Sequence, residues 1–153
     1  MQIGVTIPPI SQTEFSVLAD DKVLEEGRPI LGSFVGVNFT RNEQDALLLG
    51  TVVEFQVVND LSEYLAVAKN VQAVMTNEQV QRIVKRKGGL ILKCQITSAF
   101  GGERKTRIPY DTPIHPFAPC KLIGEQQLQG ILQKPMKGGT FFHVGRYFGC
   151  LLY

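Results

Sequence analysis

The chain has 153 residues, 44% of them hydrophobic and 20% charged, with a formal net charge of +2. Such a balance predicts one globular domain that buries its core without metal or disulfide support, and it excludes an intrinsically disordered chain. So small a charge gives no compositional argument for nucleic acid or an anionic membrane as partner. The three cysteines, Cys94, Cys120 and Cys150, are far apart and form no C-x-x-C pair. They therefore read as buried or half-buried thiols in a reducing compartment, not as a disulfide framework or zinc site. The opening "MQIGVTIPPI" has no basic region before an apolar core, and no run reaches the ~18 apolar residues of a spanning helix. A soluble cytoplasmic protein is expected.

In chain order, a short apolar run at Phe15–Leu18 comes first and a turn at Asp20-Asp21 follows. Residues Ile30–Phe39 form the first clear strand candidate, with Val35, Val37 and Phe39 on one face by period two. Gly32 and Gly36 inside it predict a bulge, a bend or the close approach of another backbone. "TRNEQD" reads as a polar hairpin loop, and "ALLLGTVVEFQVVND" as the strongest strand, with Val53, Phe55 and Val57 on one face. The period then changes. Leu61, Tyr64, Leu65, Ala68, Val71 and Met75 recur at helical spacing, with Asp60 or Ser62 as the cap. "TNEQVQRIVKRKGG" carries a Thr76/Gln79 capping box, an apolar face at Val80, Ile83 and Val84, basic residues in the last turn and a Gly88-Gly89 stop. These segments predict a helical insertion over about 60–88.

"LILKCQITSAF" returns to strand character. A strap follows in which Pro109, Pro113, Pro116 and Pro119 forbid ladder pairing over much of the segment. The strap is expected to be extended and stiff, pinned by Ile114 and Phe117, and to deliver the next helix to a fixed position. That helix is expected over about 124–133, and "GGTFFHVGRYFGCLLY" closes the chain as a β segment. Together the segments predict a mainly β, small antiparallel β-barrel with a helical insertion and a short C-terminal helix, as one domain over 1–153. The tail is expected to join the other strands in one closed, glycine-bent cylinder.

The strap and helix, "IPYDTPIHPFAPCKLIGEQQLQGIL", resemble the end of the HAS barrel, the N-terminal β-barrel of HerA-like hexameric ATPases. "PILGSFVGVNF" and "LLLGTVVEFQVV" are similar to that family's pair of glycine-containing strands. "FFHVGRYFGCLLY" resembles the strand that leads towards the ATPase core. The likeness spans roughly Ile30 to Tyr153, and the helical insertion fits it less well. It implies a non-catalytic assembly and docking barrel of a DNA-translocating ATPase, one that forms an oligomeric ring and receives a nuclease of the NurA type in DNA repair. It also implies either an N-terminal fragment of a longer ATPase, which is the expectation, or a free-standing relative. No P-loop is present: "GGERKT" is too short between glycine and lysine, and "KGGTFFHVGRYFG" lacks a lysine after its last glycine. No nucleotide hydrolysis is therefore expected of this chain, and no cofactor.

His115 and His143 have no metal-ligand partners in sequence, and no G-x-S-x-G is present. No catalytic or metal-binding residue is assigned, and the Glu25-Glu26 pair reads as a solvated loop. Two basic clusters are candidate nucleic-acid contacts: Lys85, Arg86 and Lys87 at a helix end, and Arg104, Lys105 and Arg107 on a turn. Phe100, Tyr110 and Phe117 lie near the second and have the chemistry to stack bases. A nucleic-acid-binding barrel is thus the alternative reading, and a phage or virion structural barrel a third.

Overall fold

The computed structural model describes residues 1–20, 23, 31–66, 87–102, 106–132, 145–147 and 150–152. Its strands are β1 (Gln2–Ile10), β2 (Glu14–Ala19), β3 (Phe34–Arg41), β4 (Gln44–Val58), β5 (Gly89–Gly101), β6 (Thr106–Ile108) and β7 (Pro119–Ile123). Helix α1 covers Ser62–Leu65 and α2 covers Glu125–Leu132. Two further strands, β8 (Gly145–Tyr147) and β9 (Cys150–Leu152), pair with each other.

The sheet runs β2-β1-β7-β3-β4-β5-β6, and a further antiparallel pairing of β2 with β5 closes it. Six strands thus form a closed antiparallel barrel, with β6 added outside the ring on β5. The expected barrel is correct, but the tail is not part of it, since β8 and β9 form a separate two-stranded sheet.

Inside the ring, Val35, Val37 and Phe39 face Phe15, Val17, Leu48, Val52, Leu92 and Cys94 in one buried cluster. The space is tight. A Cβ at Gly50 would come within 2.6 Å of the Phe15 ring, so the strand passes there only without a side chain. Cys94 and Cys120 are buried in this core. Burial pushes the Cys94 thiol up to about 12, and it raises the Cys120 thiol with a further push from Cys94.

Two strands escape a periodic reading. The first is β1, whose register against β2 shifts between Ile7 and Ile10, across Pro8-Pro9. Prolines at a bulge remove no needed ladder bond, so the segment remains a strand despite them. The second is β7, five residues that look like the lead into a helix. It lies between β1 and β3, with Gly4 opposite Cys120 on one side and Val37 opposite Cys120 on the other. Pro119 occupies its first position, where a missing N–H is tolerated. Gly4 is required on its other side, against β2, because a Cβ there would overlap the Leu18 carbonyl oxygen.

The hairpin loop between β3 and β4 is shorter than the sequence predicts. Pairing continues to Arg41 opposite Gln44, so only Asn42 and Glu43 turn the chain. Both have positive φ, 50° and 62°, which is the two-residue hairpin geometry that matches strand twist. Asparagine suits this conformation; glutamate at the second position is strained.

Of the predicted helical insertion, Ser62–Leu65 is helical, and residues 67–86 lie outside the described residues. Neither expected cap, Asp60 or Ser62, is the N-cap: Leu61 takes that position with no side-chain cap bond, while the Asp60 carboxylate one residue earlier accepts the Ser62 N–H at 2.8 Å, which holds its pKa below the usual range. Leu61 is fully buried with Ile7, Leu18, Ile91 and Phe117 on the outer face of β1, β2 and β5. On the opposite wall, Leu128 and Ile131 of α2 cover Leu49 and Phe100. The Gln127 side chain reaches back to accept the Gly124 N–H, half of a capping box.

The strap between β6 and β7 is unpaired as a ladder, as its prolines dictate, and its C-terminal end is fastened to one residue of β1. Thr6 of β1 donates its backbone N–H to Ala118 (2.9 Å) and accepts that of Phe117 (2.7 Å). Its hydroxyl donates to the His115 carbonyl at 2.8 Å and accepts the Ala118 N–H at 2.9 Å. Phe117, at φ 67°, takes a conformation costly for a bulky residue, and its buried ring and these bonds hold it there. Ile114 is buried in the barrel core and Phe117 in the outer cluster, so both pins act as the sequence predicts.

Two outcomes are expected. Thr6→Val keeps the shape but removes both hydroxyl bonds, leaving the Ala118 N–H and the His115 carbonyl only their long 3.3 Å bond to each other, and urea titration will show a loss of about 1 kcal/mol; no measurable loss refutes the clasp. Stability will also fall in alkali. An unfolded thiol loses its proton near 9 and the folded Cys94 only near 12, so above pH 9 the unfolded state holds fewer protons. Stability is full below pH 9 and declines as pH rises towards 12, by about 1.4 kcal/mol per pH unit per buried thiol. Cys94→Val will remove one thiol's share of that slope, and an unchanged slope contradicts the assignment.

Candidate interaction surfaces

The longest feature is the overhang of β4. Of its 15 residues, those from Ala46, opposite Gly101, to Val58, opposite Gly89, run along β5. On its other edge β3 stops at Phe34 opposite Thr51, and two bonds between Val52 and the Gly32–Ser33 turn finish that seam. Beyond Val52, no described residue pairs with this second edge. Residues 53–58 therefore form an edge strand, with one row of backbone N–H and C=O groups open.

A bulge decides what that edge carries. The β4–β5 register shifts between Val52 and Glu54, leaving Val53 as the extra residue. After it, Phe55 stands opposite Leu92 and Val57 opposite Leu90. Paired residues share a face, so the apolar row of the barrel interior continues out along β4 past the point where β3 ends. Leu90 and Leu92 are buried, but Val53, Phe55 and Val57 are 53%, 52% and 70% exposed. The expectation that these three share a face holds, and that face is open. Leu31, beside the turn that ends the β3 seam, is a further exposed apolar residue. On the other face Glu54 takes a hydrogen bond from Lys93 at 3.0 Å, and this pair raises the Lys93 pKa.

The basic clusters fare differently. Lys85, Arg86, Arg104 and Lys105 lie outside the described residues. Lys87 and Arg107 are both exposed. Lys87 immediately precedes the Gly88-Gly89 entry to β5, whereas Arg107 sits opposite Phe100 near its far end. At ~3.3 Å per residue the distance from Lys87 to Phe100 is about 43 Å along the strand path, so these two members do not form one compact rim. The aromatic residues offered for stacking are engaged elsewhere. Phe100 and Phe117 are buried, and Tyr110 packs edge-on to Phe39 at 5.9 Å.

At the hairpin tip, Arg41 clamps Asp111 of the strap through two bonds of 2.7 and 2.5 Å. The guanidinium holds the Asp111 carboxyl below its ordinary range, and the carboxylate raises Arg41 in turn. A cleft of about 160 Å³ beside it is lined by Asn42, Asp45, Gly102 and Thr106 among others. That volume is below the ~300 Å³ at which small-molecule pockets begin, and its arginine already has a partner. His115 is exposed, with its carbonyl in the Thr6 clasp. Among the described residues no group of three His, Cys, Asp or Glu side chains converges, and no helix is long and apolar enough to cross a membrane. Glu25-Glu26 lies outside the described residues.

Because the β4 row is open, polar substitution there will leave the fold intact. Val57→Thr is expected to shift unfolding free energy by no more than about 0.5 kcal/mol, against 1 kcal/mol or more at a covered site; a larger loss in chemical denaturation shows the row is covered. No family model and no curated protein matches the chain.

Proposed function

We propose that the chain is a non-catalytic assembly and docking barrel that works through a strand edge and an apolar row. The observation that carries this reading is the β4 overhang: unpaired backbone beside Val53, Phe55 and Val57, all more than half exposed. Soluble proteins blunt such edges with lysine, proline or a covering element, and an edge left apolar and open is a pairing site.

The likeness to the HAS barrel of HerA-like ATPases supports the same reading at a finer level. A barrel strand, a proline-rich stretch and a short polar helix follow one another here as β5, the strap and α2. On that likeness the barrel is one station of a ring of copies on a DNA-translocating ATPase, with a nuclease as the docked partner. Separation of Lys87 from Arg107 and burial of Phe100 and Phe117 weigh against a compact stacking interface for nucleic acid.

Sedimentation equilibrium tests the proposal. The purified chain is expected to associate reversibly with concentration, with little response to salt because the contact is apolar and backbone-mediated, and to release no phosphate from ATP. A chain that stays monomeric at every concentration, yet binds DNA with an affinity that falls steeply with salt, replaces this reading with the nucleic-acid one.

A further inference from the structure

We infer that the docked partner at the β4 edge is a second copy of this chain, paired antiparallel through Val53–Val57 about a two-fold axis at Phe55. The inference rests on the assembly reading above and specifies its surface. Its ground is the order of residues along the open edge, Val53-Glu54-Phe55-Gln56-Val57, which is a palindrome in side-chain chemistry. Only a two-fold pairing reads such a segment against itself.

Register discriminates sharply. With the axis at Phe55, Val53 meets the partner's Val57 and Phe55 meets the partner's Phe55. All three exposed apolar residues of each copy then meet apolar partners on one face. On the other face Glu54 meets the partner's Gln56, whose amide donates to a carboxylate. A shift of the axis to Glu54 sets two carboxylates opposite each other, which is repulsive. A shift to Gln56 places Glu54 opposite Val58 and leaves Val53 without an apolar partner. The edge is also free in length: the β3 pairing ends with Phe34 opposite Thr51, so residues 53–58 meet no described strand on that side. The joined sheet runs β5-β4-β4-β5 across the two copies and pairs the backbone groups that each copy leaves open. Such a contact closes at two copies, so any larger ring needs a second, head-to-tail surface.

Charge at position 55 tests the axis itself. Phe55 is 52% exposed, so Phe55→Lys and Phe55→Glu are expected to fold, with unchanged circular dichroism and melting confirming it. Each variant alone places like charges across the two-fold and is expected to weaken self-association by about tenfold or more. An equimolar mixture of the two is expected to recover a heterodimer at or above wild-type affinity, because opposite charges then meet. Amide exchange adds a second readout: residues 53–58 exchange slowly in the associated wild type and fast on dilution. If the wild type associates but both variants associate equally well, or the mixture restores nothing, the β4 axis is wrong while the assembly reading stands. If the wild type never associates, both fall.

Discussion

Closure of this barrel depends on five residues, Pro119–Ile123, being delivered in register between β1 and β3. Without them two strands present bare edges and the interior opens. Their delivery is controlled from the side by Thr6, whose two backbone bonds and one hydroxyl fasten the strap immediately before β7 begins. The strap's prolines reduce the alternatives open to the unfolded chain, so less entropy is lost when it docks. Ile114 then enters the core, Phe117 seals the outer cluster, and Arg41 grips Asp111 at the far end. A segment that makes no ladder of its own is thus the part that holds the ladder shut.

Much of the architecture was legible because it is local. Strand β3 places Val35, Val37 and Phe39 at period two, with Gly36, Asn38 and Thr40 between and after them; β5 alternates Leu90, Leu92 and Cys94; the spacing of Leu128 and Ile131 marks α2. Other elements were hidden for identifiable reasons. Strand β1 carries a glycine and two prolines, and only its partners show that Gly4 answers a close approach and that the prolines sit in a bulge. Strand β7 is too short to show a period. The direction faced by Val53, Phe55 and Val57 turns on a one-residue bulge, and a bulge is a relation between two strands that one strand's pattern does not record. The placing of Lys87 and Arg107 near opposite ends of β5 is tertiary in the same sense.

The two walls of the barrel are finished differently, and the difference bears on function. α2 covers the outer face of β4 around Leu49, while α1 and the strap cover the outer face of β1, β2 and β5. Among the described residues, the inner row of β4 runs beyond its cover. Local stability follows cover, so residues 53–58, bonded on one side only, belong to the readily opening part of the fold. That is a suitable property for an edge whose partner arrives from outside.

The seam between β1 and β7 joins residues more than a hundred positions apart, as the Thr6–His115 bond does. A chain emerging from the ribosome therefore cannot complete its cylinder until the strap and β7 have cleared the exit tunnel. Until then β1 and β3 lack their shared neighbour. Topology of this high contact order makes folding slow and late in synthesis, and it leaves sticky strand edges bare in the nascent chain. The strand order itself thus sets how long those edges stay uncovered during synthesis.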